Sequence, residues 1–268
     1  NFYKNDIAIK KLEYSKKIIK TLSFNLTLDQ KKTLKEIEND LFKKSRMYRL
    51  LQGDVGSGKT IVSLLSAANV INSGFQVVLM APTEILAKQH YEYFCQHMPE
   101  YKKQICLLTG KTKSKEKIYT LISNNCIKIL IGTHSVYNDK INFSNLGLII
   151  IDEQHKFGVK QRMSLAEKGG KNCDVLLMSA TPIPRTMMLT IYGDMDVSKL
   201  TEKPKNRLPI LTYSKPEKKI EDLTQIIKKS LQQDNQVFWV CPLIKDSQIL
   251  DYSSVYKRFE WLKKRFPN

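Results

Sequence analysis

Short apolar runs alternate with longer amphipathic stretches along the middle of the chain. The apolar runs predict strands at residues 48–52, 76–80, 104–108, 128–131, 148–152 and 175–179. The amphipathic stretches predict helices at residues 59–73, 84–97, 114–123, 159–168 and 184–192. A run as continuously apolar as Leu146–Ile151 is typical of a parallel strand covered on both faces. The alternation therefore predicts an α/β fold with a doubly wound parallel sheet.

The two ends of this region follow a different pattern. Residues 6–21 place isoleucines and a leucine among lysines, which predicts an amphipathic connecting helix. Thr27 is the predicted N-cap of a second helix that runs to about residue 44. The polar stretch 201–209, which contains two prolines, predicts an interdomain linker.

The residues after this linker predict the beginning of another domain. Strands are predicted at residues 210–213 and 236–240, and helices at residues 216–232 and 253–266. Because two strands and two helices cannot bury their own apolar faces, we expect this domain to be incomplete. The predicted organisation is a connecting helix from a preceding domain (1–23), an α/β domain (24–200), a linker (201–209) and the truncated start of a second domain (210–268).

Composition argues against several classes of protein. The chain is 42% hydrophobic, has no apolar run near the ~18 residues of a membrane helix and shows no signal segment. We therefore expect a cytoplasmic protein without a membrane partner. The five cysteines form no Cys-x-x-Cys pair, which argues against a zinc knuckle and a disulfide framework. The spacing of His90, Cys95 and His97 fits no common zinc signature, so we interpret them as surface or core residues.

The net charge of +18 comes from 44 Lys and Arg against 26 Asp and Glu. This excess suggests a polyanionic partner, and nucleic acid is the commonest one. The chain is also rich in Asn and Ile, and a compositionally biased genome would produce the same excess of lysine. Charge alone leaves both explanations open.

The first chemical motif is Gly53-Asp54-Val55-Gly56-Ser57-Gly58-Lys59-Thr60, between a predicted strand and a predicted helix. It matches the pattern of a phosphate-binding loop. Glycines allow several backbone N–H groups to turn toward a polyphosphate, and the helix adds its unpaired N–H groups and its dipole. We expect Lys59 to contact the β- and γ-phosphates and the Thr60 hydroxyl to bind Mg²⁺.

The second motif is a pair of carboxylates, Asp152 and Glu153, at the end of an apolar strand. At the carboxyl edge of a parallel sheet, Asp152 would lie near the phosphate-binding loop. We expect Asp152 to hold Mg²⁺ through its water shell and Glu153 to orient or deprotonate an attacking water. Taken alone, the pair would also suit the N-cap and acidic first turn of a helix.

Ser179 and Thr181 end the next predicted strand, at the same edge of the sheet. Their hydroxyls are candidates for coupling the state of the nucleotide to a second domain. They would also suit a simple cap for the helix that begins near Pro182.

Six motifs, taken in order, resemble those of superfamily 2 helicases: residues 53–60, 81–87, 108–110, 131–135, 152–155 and 179–181. Residues 84–90, 152–162 and 178–186 are similar to RecG-type branch-migration helicases in particular, and residues 193–196 and 236–244 fit the same group. Transcription-repair coupling factors are the relatives ranked second. The resemblance covers about residues 24–268.

The resemblance implies a RecA-like motor that uses ATP and Mg²⁺ to remodel forked or branched duplex DNA in recombination and repair, and we expect a monomer. It implies adenine contacts from Phe24 and Gln30, which would otherwise form an ordinary helix N-terminal turn. The residues implied to hold the DNA backbone are Pro82, Thr83, Thr109, Gly110, Thr133 and His134, each of which would also suit an ordinary turn. Those implied to couple the nucleotide site to the second domain are Gln154, His155, Ser179 and Thr181. The common alternative for His155 is a core histidine with satisfied hydrogen bonds.

The resemblance also implies a wedge domain before residue 1 and transition-state arginines after residue 268. Such arginines contribute ~10³ or more in rate in related phosphoryl-transfer enzymes. We therefore expect weak hydrolysis from these residues alone. The alternative is a nucleotide-dependent DNA-binding module without useful catalysis.

Overall fold

The computed structural model describes residues 13–153, 173–181, 195–202, 210–216, 219–242 and 254–266. Contacts between Cα atoms divide the chain into two compact units, Asn1–Arg207 and Leu208–Asn268. The predicted helices at 159–168 and 184–192 lie outside the described residues. The predicted division into connecting helix, motor domain, linker and truncated second domain stays a prediction.

Among the described residues of the first unit, seven parallel strands form one sheet, in the order β3-β4-β2-β5-β6-β1-β7. The strands are β1 (Tyr48–Gly53), β2 (Gln76–Met80), β3 (Ile105–Leu108), β4 (Ile129–Gly132), β5 (Leu146–Ile151), β6 (Asp174–Ser179) and β7 (Asp196–Leu200). The described helices of this unit are α1 (Glu13–Thr21), α2 (Leu28–Phe42), α3 (Lys59–Asn72), α4 (Glu84–His97) and α5 (Lys115–Ser123), with 3₁₀ helices at Pro99–Gln104 and His134–Tyr137.

The sheet is covered on both faces by apolar side chains. Every residue of β5 is buried, and successive residues alternate between two cores: Leu148 and Ile150 belong to one, Ile149 and Ile151 to the other. Helices α1 to α4 contribute to the first core, and α5 contributes to the second. The predicted α/β fold with a doubly wound parallel sheet is confirmed.

The predicted strands β1 to β6 are confirmed to within two residues at each end. Strand β7 (Asp196–Leu200) was not predicted. Of its five residues only Ser198 and Leu200 are buried, and one of these is polar, so the strand has no apolar alternation to detect. Its position at the sheet edge explains how so short and polar a segment forms a strand.

The predicted cap of α2 is also confirmed. The Thr27 hydroxyl accepts from the Gln30 N–H at 3.2 Å, and the Gln30 side chain accepts from the Thr27 N–H at 2.9 Å. This reciprocal pair is a capping box, which satisfies two N–H groups at the helix start. The helix ends at Phe42, two residues before the predicted end.

The second unit contains helices α6 (Ile220–Gln232) and α7 (Val255–Arg265), close to the predicted positions. The strands predicted at 210–213 and 236–240 are wrong, because both segments are irregular. Neither has a hydrogen-bonded neighbouring strand among the described residues, and Phe238 is 86% exposed. An apolar segment forms a strand only where a partner satisfies its backbone groups. That this unit begins a second RecA-like domain stays a prediction.

No helix within the described ranges has the length and apolar character needed to span a membrane.

Arg49 is a buried cation that links β1 to its neighbours. Its guanidinium donates to Asp40 Oδ2 of α2 at 2.6 and 2.8 Å and to Ser198 Oγ of β7 at 2.8 Å. Glu36 lies 3.5 Å from the same group. Because β1 leads directly into residues 53–60, these bonds hold the strand that presents the phosphate-binding loop.

We expect Asp40→Ala to destabilise β1 by about 3 kcal/mol, because it leaves a buried guanidinium without its main carboxylate. Asp196→Ala is the matched control: its carboxylate lies 3.6 Å from Arg49 but is 67% exposed, so the loss should stay below about 1 kcal/mol. Hydrogen exchange of the β1 amides measures the loss of stability in each variant. Tryptophan fluorescence would miss the effect, since Trp239 and Trp261 lie in the second unit. Equal losses would contradict this role for Asp40.

Candidate functional site

The carboxyl ends of the parallel strands bring two groups of predicted residues to one edge of the sheet. The ends of β1, β5 and β6, which are neighbours, hold residues 53–60, Asp152 with Glu153, and Ser179 with Thr181; we call this the P-loop half. The ends of β2, β4 and β3 hold Pro82 with Thr83, Thr133 with His134, and Thr109 with Gly110; we call this the threonine half. The halves meet where β2 pairs with β5.

The phosphate-binding loop has the backbone that its glycines predict. Gly56 and Gly58 have φ angles of 78° and 92°, in the left-handed region that other residues rarely adopt. Gly58 is the N-cap residue of α3, so the first N–H groups of that helix face the loop. The loop and helix together form the anion-binding arrangement expected from the sequence.

Gln30 is in contact with this loop. Its Nε2 donates to the Ser57 carbonyl at 2.8 Å, and its Oε1 accepts from the Thr27 N–H at 2.9 Å. One N–H and one lone pair of the amide are left, which is the pair of groups needed to bind the N7 and N6 of adenine. Phe24 and Gln30 line one cavity, and Phe24 is 46% exposed. The arrangement therefore combines a helix capping box with capacity for adenine.

Lys59 lies at the start of α3, with its amino group turned back toward the loop. Nζ donates to the carbonyls of Gly53 and Asp54 at 2.6 and 3.2 Å. Burial lowers the pKa of Lys59, while the carboxylates of Glu153, Asp152 and Asp54 act in the opposite direction. A half-buried cation whose partners are neutral carbonyls is suited to bind an incoming phosphate.

Asp152 follows the last residue of β5 and is only 8% exposed. Its backbone N–H donates to the Met80 carbonyl at 2.8 Å, and its Oδ1 accepts from the Glu153 N–H at 3.0 Å. Glu153 has a φ of 48°, which is uncommon for a residue with a side chain. Such backbone strain is frequent at functional sites.

The second oxygen of Asp152 contacts a residue that was not predicted to be part of the site. His90 Nε2 lies 2.8 Å from Asp152 Oδ2, and His90 is only 6% exposed. The sequence-based interpretation of His90 as a surface or core residue missed this contact. The available signal was its position on the buried face of α4, three residues after Ala87 and four before Phe94.

A cavity of about 1290 Å³ joins these residues. Its lining includes Phe24, Gln30, Gly58, Thr60, His90 and Asp152. Residues from the predicted adenine, phosphate and magnesium contacts therefore line one cavity.

The residues present fit ATP with Mg²⁺. Ser57 Oγ is buried without a hydrogen-bond partner among the described residues, and a phosphate oxygen would satisfy it. Within the described ranges there is no cluster of three or more His, Cys, Asp or Glu side chains that could hold a metal. Mg²⁺ is bound through one or two carboxylates together with substrate phosphates, and Asp152 supplies one carboxylate to this cavity. Thr60 and Asp152, the residues predicted to hold it, both line this cavity, and their role stays a prediction.

Of the predicted coupling residues, Ser179 and Thr181 are described. The Thr181 N–H donates to Ser179 Oγ at 3.2 Å, the two hydroxyls lie 3.1 Å apart, and Gln52 Nε2 donates to the Thr181 carbonyl at 3.1 Å. The end of β6 is thus bonded to the end of β1. Gln154 and His155 lie outside the described residues. The coupling role of all four stays a prediction.

In the threonine half, Glu84 links the ends of two strands. Its carboxylate lies 3.2 Å from Lys111 Nζ. Lys111 lowers the pKa of Glu84 most strongly, and Thr109 lowers it further. Thr83 is the N-cap of α4 and accepts from the Leu86 N–H at 3.3 Å. Glu84 was not among the predicted site residues.

The other predicted members of the threonine half differ in exposure. Thr133 is buried and its N–H donates to the Leu108 carbonyl at 3.3 Å, whereas His134 and Gly110 are exposed. The structure brings all six predicted residues to one edge, but only some present side chains to solvent.

Comparison with known proteins agrees with this arrangement. Residues 27–189 match the family model described as DEAD/DEAH box helicase. The chain is 44% identical over 259 residues to the ATP-dependent DNA helicase RecG of Aquifex aeolicus, a match that covers 96% of this chain and 33% of that protein. The corresponding protein of Thermotoga maritima is 43% identical over 263 residues, with 96% and 34% covered.

A solved structure of RecG bound to a three-way DNA junction matches with a TM-score of 0.77 and 39% identity, over 96% of this chain and 34% of that one. The predicted RecA-like fold and the predicted resemblance to RecG-type helicases are confirmed. The chain spans about a third of the length of the curated relatives it matches.

We expect Gly58→Ala to weaken binding of ATP with Mg²⁺ at least about tenfold, a loss of ~1.4 kcal/mol. A Cβ at Gly58 would lie 2.2 Å from Gln30 Nε2 and would displace the amide from the loop. Gly74→Ala is the matched control: Gly74 has a φ of 93°, yet a Cβ there meets nothing within 4 Å. Both variants should lose about 1–2 kcal/mol of stability from the left-handed backbone. Titration with a fluorescent ATP analogue measures affinity, and equal affinities in the two variants would contradict the prediction.

Proposed function

The chain belongs to the DEAD/DEAH box helicase family, and on that premise we propose that it is the ATP-binding motor region of a DNA helicase that remodels branched DNA. The observation that supports this most is the division of one sheet edge into a P-loop half and a threonine half that meet at β2 and β5. A shared edge allows two ligands to affect one another through a single pair of hydrogen-bonded strands.

In the P-loop half, each residue has a distinct task in nucleotide hydrolysis. Lys59 exchanges the carbonyls of Gly53 and Asp54 for phosphate oxygens. Thr60 and Asp152 hold Mg²⁺, which when bound neutralises charge on the β- and γ-phosphates. Glu153 orients the attacking water and accepts its proton. Gln30 and Phe24 bind the adenine.

In the threonine half, small polar residues bind the DNA backbone. Hydroxyls and backbone N–H groups at the ends of β2, β3 and β4 suit phosphate oxygens and fix position without recognising sequence. Lys111 and Lys113 are exposed beside them, and the net charge of +18 favours binding that weakens as salt is raised.

The preference for forked or branched DNA is proposed from likeness to relatives. The curated relatives are named ATP-dependent DNA helicases, and the solved relative is bound to a three-way junction. This chain covers about a third of each, so roles in fork reversal, branch migration, recombination and repair are part of the proposal. The monomeric state and the cytoplasmic location stay predictions.

We expect Glu153→Gln in the full-length protein to bind ATP within about twofold of wild type but to lose turnover by at least ~100-fold, because the amide cannot accept the proton. Lys59→Ala should abolish turnover. Glu92→Gln is the matched control, since Glu92 is an exposed glutamate on α4. Phosphate release with and without forked DNA measures turnover.

Normal turnover in Lys59→Ala would contradict the assigned reaction. Loss of ATP binding in Glu153→Gln would show that Glu153 has a structural role.

A further inference from the structure

The contact between His90 and Asp152 joins the two halves of the site. His90 lies in α4, which begins after the end of β2 in the threonine half, whereas Asp152 directly follows β5 in the P-loop half. The two residues are 62 positions apart in sequence, and their atoms Nε2 and Oδ2 are 2.8 Å apart. An ionised carboxylate can only accept, so His90 donates this hydrogen bond.

Among the described residues, two donors define the orientation of the Asp152 carboxylate. The Glu153 N–H binds Oδ1 and the His90 ring binds Oδ2. Of these, the first comes from the adjacent residue, and only the second comes from another element. A shift of α4 therefore changes the orientation of Asp152 through His90.

The start of the same helix lies among the predicted DNA contacts. Thr83 caps α4, and the carboxylate of Glu84 in its first turn lies 3.2 Å from Lys111 Nζ. From Glu84 to His90 is six residues, or about 9 Å along the axis. A DNA phosphate that binds Lys111 competes with the Glu84 carboxylate for the same ammonium group, and so acts on the start of α4.

We propose that His90 is a positioning residue that links DNA binding at the start of α4 to the Mg²⁺-side carboxylate, Asp152. The inference rests on the proposed function, since it requires both ligands. A purely structural histidine would be enclosed by the core, whereas His90 and Asp152 both line the cavity that contains Thr60. Coupling of this kind is reciprocal: DNA changes ATP affinity by the same factor by which ATP changes DNA affinity.

The test measures this factor. In one series, the full-length protein is titrated with a non-hydrolysable ATP analogue and Mg²⁺, in the presence and in the absence of a fluorescein-labelled forked duplex. In the second series, it is titrated with the duplex, in the presence and in the absence of the nucleotide. For wild type we expect a coupling factor of at least about five in both directions. His90→Leu should bring it close to one while leaving DNA affinity without nucleotide unchanged.

Two further variants distinguish a role of His90 in orienting Asp152 from a role in packing alone. His90→Gln retains a donor of similar reach and should restore most of the coupling, whereas Glu92→Gln, an exposed change on the same helix, should leave it at the wild-type value. If His90→Leu does not fold, as judged by circular dichroism, His90→Asn replaces it, because its amide is too short to reach Asp152.

A wild-type coupling factor in His90→Leu or His90→Asn would overturn the inference. A coupling factor in His90→Gln as low as that in His90→Leu would also overturn it. A wild type that binds both ligands with a factor of one would overturn it and leave the proposed function intact. A wild type that binds neither ligand would instead contradict the proposed function.

Discussion

The pairing of β5 between β2 and β6 is the constraint on which the candidate site depends. Ile151 pairs with Met80 on one side and Leu177 on the other, and the Asp152 N–H extends the ladder to the Met80 carbonyl. A slip of one residue would turn Asp152 to the opposite face of the sheet. Since all the strands are parallel, the same register places the end of β2 beside Asp152 and so brings the two halves of the site together.

The phosphate-binding loop is held by contacts outside its own motif. Gln30 supports the loop from α2, and Arg49 fixes the preceding strand between α2 and β7. A Cβ on Gly53 would lie 2.9 Å from the Cβ of Leu200, so β7 also limits what the first loop position can be. The motif predicts the loop, but α2 and β7 determine its shape.

The parts of the structure that depend on local pattern were predictable, and the parts that depend on distant partners were not. The loop, strands β1 to β6 and the cap at Thr27 each follow from residues near in sequence. Strand β7 was missed because Ser198 faces Arg49, and His90 was missed because its partner is 62 residues away. The strands predicted in the second unit were wrong because an apolar run does not show whether a neighbouring strand exists.

The central claim is that one sheet edge binds nucleotide at its P-loop half and DNA at its threonine half. Hydrogen exchange of the chain in three states, free, with ATP and Mg²⁺, and with forked DNA, tests it most directly. Nucleotide should slow amide exchange at least about tenfold in residues 53–60, and DNA should do so at residues 83–84, 109–111 and 133–134, because bound phosphates protect the N–H groups they contact. Protection of residues 53–60 by DNA alone, with no change at the ends of β2, β3 and β4, would contradict the claim.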